Sequence, residues 1–440
     1  MRAYRTAADP QERAPEASKR PRQAPPRLGS VTTPPIAPYV HRRVPLDVGG
    51  RRLEFATCLD LFSSHQVDVG SRLLLRTIEP VLAARGSTGG ARVLDLGCGY
   101  GALGVALATL PAVASAHLVD RDALAVDFAA ENARANAVEV TTAVSLGLAE
   151  TLRDAPGARY DLVVSNLPGK AGAAVLSSML LGALGVLAPG GLVAVVVIEP
   201  IRDLVASTLS RDDIEVTLRR DTADYSVFHY GPAAGTSFPP PAEAFDAGVY
   251  DRGALPFEDA NEQPATITTV EGIPNYDRID VIEAALTRRI PRIRPGQRVL
   301  VSNVAQGYLA AYVRSAQPEA PVILVDRDVL ALRTARRALL ALGAVEDRVE
   351  MRVIGAWSED SAADANADLI VGVLHEGGGA PAVEAEYAGL VAALAPGGRA
   401  VLAGGSTAIT RLLAHALPPG CKASRTKHRG TSFLEVTRAL

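Results

Sequence analysis

Arg92-Val-Leu-Asp-Leu-Gly-Cys-Gly-Tyr-Gly101 sets the reading of this chain: a short apolar run passes into closely spaced glycines and then into Ala102–Leu110, which has helical spacing. Strand, glycine loop and helix in that order make the turn at which doubly wound sheets hold their ligands. The stretch comes back. Arg298-Val-Leu-Val-Ser-Asn-Val-Ala-Gln-Gly307 lies 206 residues on, and Leu118-Val-Asp-Arg-Asp-Ala-Leu-Ala125 returns at the same offset as Leu324-Val-Asp-Arg-Asp-Val-Leu-Ala331. Asp161-Leu-Val-Val returns as Asp368-Leu-Ile-Val, and Leu187-Ala-Pro-Gly-Gly191 as Leu394-Ala-Pro-Gly-Gly398, both 207 on. Four blocks in register with a single slip make the chain two copies of one α/β unit.

The composition agrees. At 440 residues, 48% hydrophobic and 21% charged, the chain suits two globular domains rather than one or four. No stretch approaches the roughly 20 apolar residues that span a bilayer. Even Leu192–Ile198 is bounded by Gly191 and Glu199. The N-terminus lacks the apolar core of a secretory signal, so a cytoplasmic location is expected and no membrane partner. Three cysteines, Cys58, Cys98 and Cys421, form no CxxC pair, which implies neither a disulfide framework nor a structural metal.

With 45 basic against 48 acidic residues the net charge is −3, so the chain as a whole does not advertise a nucleic-acid partner. Residues 1–40 differ, holding seven basic side chains, three acidic ones and eight prolines. They read as a disordered basic arm, either an electrostatic lure for RNA or an unselected tail. The remaining divisions are a catalytic domain over 41–232, a connector over 233–274 opened by Pro239-Pro-Pro241, and a second copy over 275–440.

Within the first copy, apolar runs at Ala91–Leu96, His117–Val119, Val138–Val144, Asp161–Val164 and Leu192–Ile198 predict buried parallel strands. Ala102–Leu110, Asp122–Asn136 and Ala173–Leu187 predict helices between them, and Ile214–Leu218 and Tyr225–Tyr230 suit closing strands. Gly99, Gly101 and Gly104 also satisfy G-x-G-x-x-G, with Asp120 placed 19 residues past Gly101 to accept ribose hydroxyls, so by glycine spacing alone a dinucleotide fits equally well. Asp95 discriminates. A carboxylate two residues before the first glycine opposes a pyrophosphate and suits the cationic amino group of S-adenosylmethionine.

From these residues the sequence resembles the class I methyltransferases. More narrowly it resembles their small-domain family, which includes tandem-domain ribosomal RNA guanine-N2 methyltransferases. The narrower likeness rests on Val44–Phe55, a hairpin turned at Gly49-Gly50, and on Leu61-Phe-Ser-Ser-His-Gln-Val-Asp-Val-Gly-Ser-Arg-Leu-Leu-Leu75, similar to that family's F-S-x-x-x-x-D-x-G-S-x-L-L-L lead-in. It implies a fold of two tandem Rossmann-like seven-stranded domains, with S-adenosylmethionine as cofactor. Phe62 and Asp68 would lie near the cofactor's methionine end, Asp95, Gly97, Gly99 and Gly101 would cradle it, Asp120 would hold its ribose, and Ser145 would lie by its adenine.

Relatives that methylate planar exocyclic nitrogens carry Asn-Pro-Pro-aromatic after the fourth strand. Such a nitrogen has a delocalised lone pair; an Asn amide oxygen and the next carbonyl accept its two hydrogens and turn the lone pair toward the methyl group. Here the motif is Asn166-Leu167-Pro168-Gly169-Lys170. The acceptor pair is retained, with Asn166 also beside the cofactor, and the stacking ring is lost. Candidate compensating substrate contacts are Phe228 and His229 on the last predicted strand, while Lys170 could meet a substrate phosphate or carboxylate.

In the second copy Asp95 becomes Val301, Gly97 Asn303, Gly99 Ala305 and Asn166 Val373, although Asp326 persists. That copy is expected not to bind the cofactor, serving instead as a substrate platform or as one half of an internal pseudo-dimer in a monomeric or homodimeric protein. His375-Glu376-Gly-Gly-Gly379 reads as a loop. The expected function is N-methyl transfer to an exocyclic amine of RNA, of guanine-N2 type. The alternatives are a small-metabolite or peptide amine as substrate, or a non-catalytic S-adenosylmethionine-binding scaffold.

Overall fold

The computed structural model describes residues 36–85, 90–428 and 430–440. The chain opens with a hairpin of β1 (Arg42–Val48) and β2 (Arg51–Thr57), turned at Gly49-Gly50 as the sequence predicts, followed by α1 (Val69–Arg85). Then strand and helix alternate: β3 (Ala91–Leu96), α2 (Ala102–Ala108), β4 (Val113–Asp120), α3 (Ala123–Ala135), β5 (Thr141–Val144) and α4 (Leu148–Asp154). β6 (Tyr160–Asn166), α5 (Ala173–Leu184), β7 (Leu187–Ile198), α6 (Arg202–Leu209), β8 (Ile214–Asp221) and β9 (Tyr225–Pro232) complete the first copy. Its seven strands lie in the order β5-β4-β3-β6-β7-β9-β8, parallel except for β9 and β8. The order reverses between β3 and β6, so the loops after these two strands share one crevice.

A second hairpin, β10 (Asp251–Glu258) with β11 (Pro264–Val270), precedes α7 (Val281–Thr287). The second copy runs β12 (Val299–Ser302), α8 (Tyr308–Ala316), β13 (Val322–Asp326), α9 (Val329–Ala341), β14 (Val349–Val353), β15 (Ala367–Val373), α10 (Ala380–Ala392), β16 (Leu394–Gly404), α11 (Ser406–Leu413), β17 (Cys421–His428) and β18 (Thr431–Arg438). Its strand order, β14-β13-β12-β15-β16-β18-β17, repeats the first sheet strand for strand. Repeated local chemistry explains the repeated fold. Asp122 and Asp328 each cap the following helix through a 2.9 Å bond from the N–H two residues on, and Gly101 and Gly307 open α2 and α8 at φ of 90° and 88°.

Two expectations change. The connector is not a bare linker: Leu255, Phe257 and Ile267 of its hairpin are buried and cluster with Tyr308 and Ala338 of the second copy, because a two-stranded ribbon needs an apolar floor to persist. Residues 1–35 of the expected arm lie outside the described residues, but Ile36 and Tyr39 are buried, and the Tyr39 hydroxyl accepts the Trp357 N–H at 3.0 Å. Residues 36–39 therefore belong to the folded chain and not to the expected arm. Among the described residues no helix is long and apolar enough to cross a membrane.

The copies meet through their shared Val-Asp-Arg-Asp segments. Ala123 N–H donates to the Arg327 carbonyl at 2.8 Å while Val329 N–H donates to the Arg121 carbonyl at 3.1 Å. Arg121 faces Asp328 at 3.4 Å, and Arg327 faces Asp122 at 3.3 Å. Each bond has its counterpart 206 residues along, the reciprocity of a two-fold contact within one chain.

Candidate active site

The loop after β3 bends through Gly97 at φ 73° and Gly99 at φ 54°, a conformation that other residues adopt only with strain. A Cβ built at either would meet no atom within 4 Å, so both backbones face open space. Gly101 and Gly104 serve packing instead: a Cβ on Gly101 would press on Ala129 at 3.1 Å, and one on Gly104 on Leu118 at 2.6 Å. The sequence grouped Gly97, Gly99 and Gly101 in one role; the structure divides them.

Asp95 ends β3 with no exposed surface. Its Oδ2 accepts the Gly104 N–H at 2.7 Å, and its Oδ1 has no partner among the described residues. Burial, reinforced by the Asp120 charge, pushes this carboxyl up to about 7. Asp120 sits at the end of β4 as predicted, taking Gly99 N–H on Oδ2 at 2.9 Å and Asp122 N–H on Oδ1 at 3.0 Å. Both bonds fix the carboxylate plane and leave lone pairs for hydroxyl donors. Its pKa is raised by burial against the opposing pull of those N–H groups.

Asn166 ends β6 across the crevice. Its Nδ2 donates to Asp68 Oδ2 at 2.9 Å and to Ser71 Oγ at 3.0 Å, which occupies both amide hydrogens. Oδ1 is left without a protein donor among the described residues. Leu167 buries its side chain and donates its N–H to Val196 at 3.0 Å; its carbonyl is likewise unpaired among the described residues. The two acceptors the chemistry asks for are therefore adjacent and free. Pro168 and Lys170 are exposed beside them. An aromatic side chain at Gly169 would collide with Ile198, whose Cδ1 lies 2.5 Å from a Cβ built there.

The structure gives Asp68 its own task. Besides Asn166, its Oδ2 accepts the Ser71 N–H at 3.0 Å, capping α1, and its Oδ1 accepts the Tyr225 hydroxyl at 3.1 Å. Gly70 is obligatory here, since a Cβ would lie 2.7 Å from the Tyr225 ring. Asp68 thus orients Asn166 rather than presenting both oxygens to a cofactor. Sequence reasoning missed Ser71 and the Asp68–Tyr225 bond, although an Asp three residues before a Ser at the head of an apolar run is a helix-cap signal. Phe62, on the segment leading into Asp68, is 67% exposed and so belongs to no core.

Three of the expected site residues have packing roles. The Ser145 hydroxyl donates to the Gly147 carbonyl at 2.9 Å and meets Thr151 Oγ1 at 3.2 Å, which secures the start of α4. Phe228 and His229 are buried, because β9 is an interior strand between β7 and β8. His229 Nε2 pairs with Thr77 Oγ1 at 2.9 Å, and burial lowers its pKa to about 4. Both side chains are packed within the sheet.

The matching crevice of the second copy is closed. Asn303 and Ala305 hold φ of 53° and 45°, conformations inherited from glycines. Asn303 Nδ2 donates to the Val373 carbonyl at 2.7 Å and to Glu386 Oε1 at 2.6 Å, spanning the gap between β12 and β15. His375, expected in a plain loop, reaches Asp60 of the first copy at 3.2 Å.

The donor set suits S-adenosylmethionine: one buried carboxylate oxygen lacking a partner, two glycines facing open space, and an acidic strand end.

Residues 52–228 match the family model of the methyltransferase small domain. Ribosomal RNA small subunit methyltransferase C of Hahella chejuensis is 36% identical over 143 residues, which is 32% of this chain and 38% of that protein. Ribosomal RNA large subunit methyltransferase G of Streptomyces avermitilis is 34% identical over 173 residues, 38% of this chain and 42% of the relative. The chain thus spans under half the length of these relatives. A solved structure described as a T. thermophilus 16S rRNA N2 methyltransferase in complex with AdoMet and guanosine superposes with a TM-score of 0.60 at 19% identity, over 91% of this chain and 99% of that one. At that identity the likeness is one of fold, and it extends over both copies.

Proposed function

Residues 52–228 being a methyltransferase small domain, we propose that the first copy transfers a methyl group from S-adenosylmethionine to an exocyclic nitrogen of ribosomal RNA, of guanine-N2 type. The observation that carries this reading is the Asn166 amide, with both hydrogens spent on Asp68 and Ser71 and its oxygen left as an acceptor. The Asn166 Oδ1 and the Leu167 carbonyl take the two amine hydrogens and hold the nitrogen with its lone pair out of conjugation. Asp95 Oδ1 takes the cofactor's ammonium, the Gly97 and Gly99 backbones allow its close approach, and Asp120 takes the ribose hydroxyls. When bound, the cofactor supplies an electrophilic methyl group whose bond to sulfur breaks as the nitrogen lone pair takes the carbon. One N–H proton then leaves to water; no covalent enzyme intermediate is needed. The names of the relatives support RNA as the substrate class.

A second reading, transfer to a small-metabolite or peptide amine, is favoured by Gly169, where the base-stacking ring is missing. Incubation with methyl-labelled S-adenosylmethionine and separated RNA, peptide and metabolite fractions of a cell extract distinguishes the two. Label in RNA supports the first reading, label confined to another fraction replaces it, and cofactor binding without transfer to any fraction makes the chain a scaffold.

A further inference from the structure

The duplicated fold provides its own control for surface charge. Residues 199–228 and their counterparts 405–434 form the same α6-β8-β9 and α11-β17-β18 corner in the two copies. The first stretch carries seven acidic and four basic side chains; the second carries five basic ones and no acid, and the rest of β18 adds one of each, Glu435 and Arg438. By their pairing with β9 and β18, Glu215 of β8 is replaced by Lys422 of β17 and, past a bulge between Val216 and Leu218 that β17 lacks, Asp221 by Lys427. Two of the four lysines in the chain lie on this one strand.

In the fold, β17 is the outer edge of its sheet. Arg411 and Lys427 are exposed, and no ion pair among the described residues involves either, or Lys422 or Arg425. The Arg425 guanidinium is held by hydroxyls alone, donating to Thr410 at 2.7 Å and to Ser406 and Ser432 at 3.1 Å each. An open hollow of about 400 Å³ lined by Ser406, Thr407, Thr410 and Arg411 lies beside it. Glu435, on the neighbouring strand, is paired with Arg399, and Glu376 accepts the Gly405 N–H.

We propose that the α11–β17 corner of the second copy is an RNA-backbone docking surface that anchors the substrate whose base enters the first copy's crevice. The inference rests on the RNA reading above. Uncompensated cations beside hydroxyl donors suit phosphate oxygens, which grips a backbone without requiring that its bases be read. A copy that has lost its cofactor cradle thereby keeps a use.

The test is fluorescence anisotropy of a labelled RNA hairpin with the full chain across a salt series. Arg411→Glu/Lys427→Glu should weaken binding about tenfold or more and reduce the slope of log affinity against log salt by about 2, one for each lost phosphate contact. Arg411→Ala/Lys427→Ala should fall between that variant and the wild type. Arg292→Glu/Arg294→Glu, the same charge change at exposed positions elsewhere in the second copy, should bind as the wild type does. Unchanged binding by the first variant, or an equal loss in the control, overturns the proposal. So does a patch-dependent affinity for phosphatidylserine vesicles with none for RNA. If the wild type methylates RNA while the first variant binds it unchanged, the surface falls and the proposed function stands. Patch-dependent RNA binding without methyl transfer does the reverse.

Discussion

Asp68 Oδ2 accepts the Asn166 Nδ2–H at 2.9 Å, joining the head of α1 to the end of β6 across 98 residues of chain. An amide is nearly symmetric in shape, so what decides which of its ends faces the substrate is the hydrogen-bond network around it. Asn166→Ala should therefore lower kcat about 100-fold, the scale of a lost preorganised contact. Asp68→Ala, which leaves the amide free to turn, should lower kcat about tenfold or more without changing the cofactor Kd, and the double variant should be little worse than Asn166→Ala alone. Initial rates of labelled methyl transfer measure all three.

The proposed contact of Asp95 with the cofactor's ammonium predicts a cofactor affinity that depends on pH. Its folded carboxyl is pushed up to about 7, while the cofactor's ammonium needs the carboxylate. Below that value a proton must leave before the ion pair forms, so affinity should fall toward tenfold per pH unit as pH drops, and level off above about pH 8. Calorimetric titrations across this range check it. Asp95→Asn should bind weakly with no pH dependence; a wild type equally flat would remove Asp95 from the contact.

Calorimetry also counts sites. With Asn303 spanning the second crevice at 2.7 and 2.6 Å, one molecule of S-adenosylmethionine should bind per chain, and Asp120→Ala should abolish it. Two sites in the wild type would contradict the division of labour between the copies.

Arg327 lies between Asp60 at 3.2 Å and Asp122 at 3.3 Å. Arg327→Ala strands the Asp122 carboxylate and leaves Asp60 with His375 as its one cationic partner, which should cost about 3 kcal/mol, read as a lower Tm. The loss should be smaller at acidic pH, where the stranded Asp122, already pushed up to about 6 by burial, can take up a proton.

The duplicated fold was legible in the sequence because its signals are local: glycines where the chain turns left-handed, and an Asp before each third helix. The pairing of Arg121 with Asp328 and of Arg327 with Asp122 was not, since a motif repeated in sequence does not announce that its copies touch. Asp95, Asp120 and Asn166 were placed correctly at strand ends by register alone. The packing of Ser145, Phe228 and His229 was not legible. Residue type and proximity nominated them, whereas burial of β9 and a hydroxyl bond to the start of α4 are decided by packing over long sequence separations. The partners of Asp68 stayed hidden for the same reason.

The central claim is that Asn166 presents a planar nitrogen of an RNA base for methylation. Its most direct test is nucleoside analysis of ribosomal RNA incubated with labelled cofactor and either the wild type or Asn166→Ala. The account predicts label recovered as N2-methylguanosine with the wild type and nearly none with the variant. Label on a different atom, or equal labelling by the variant, would contradict it.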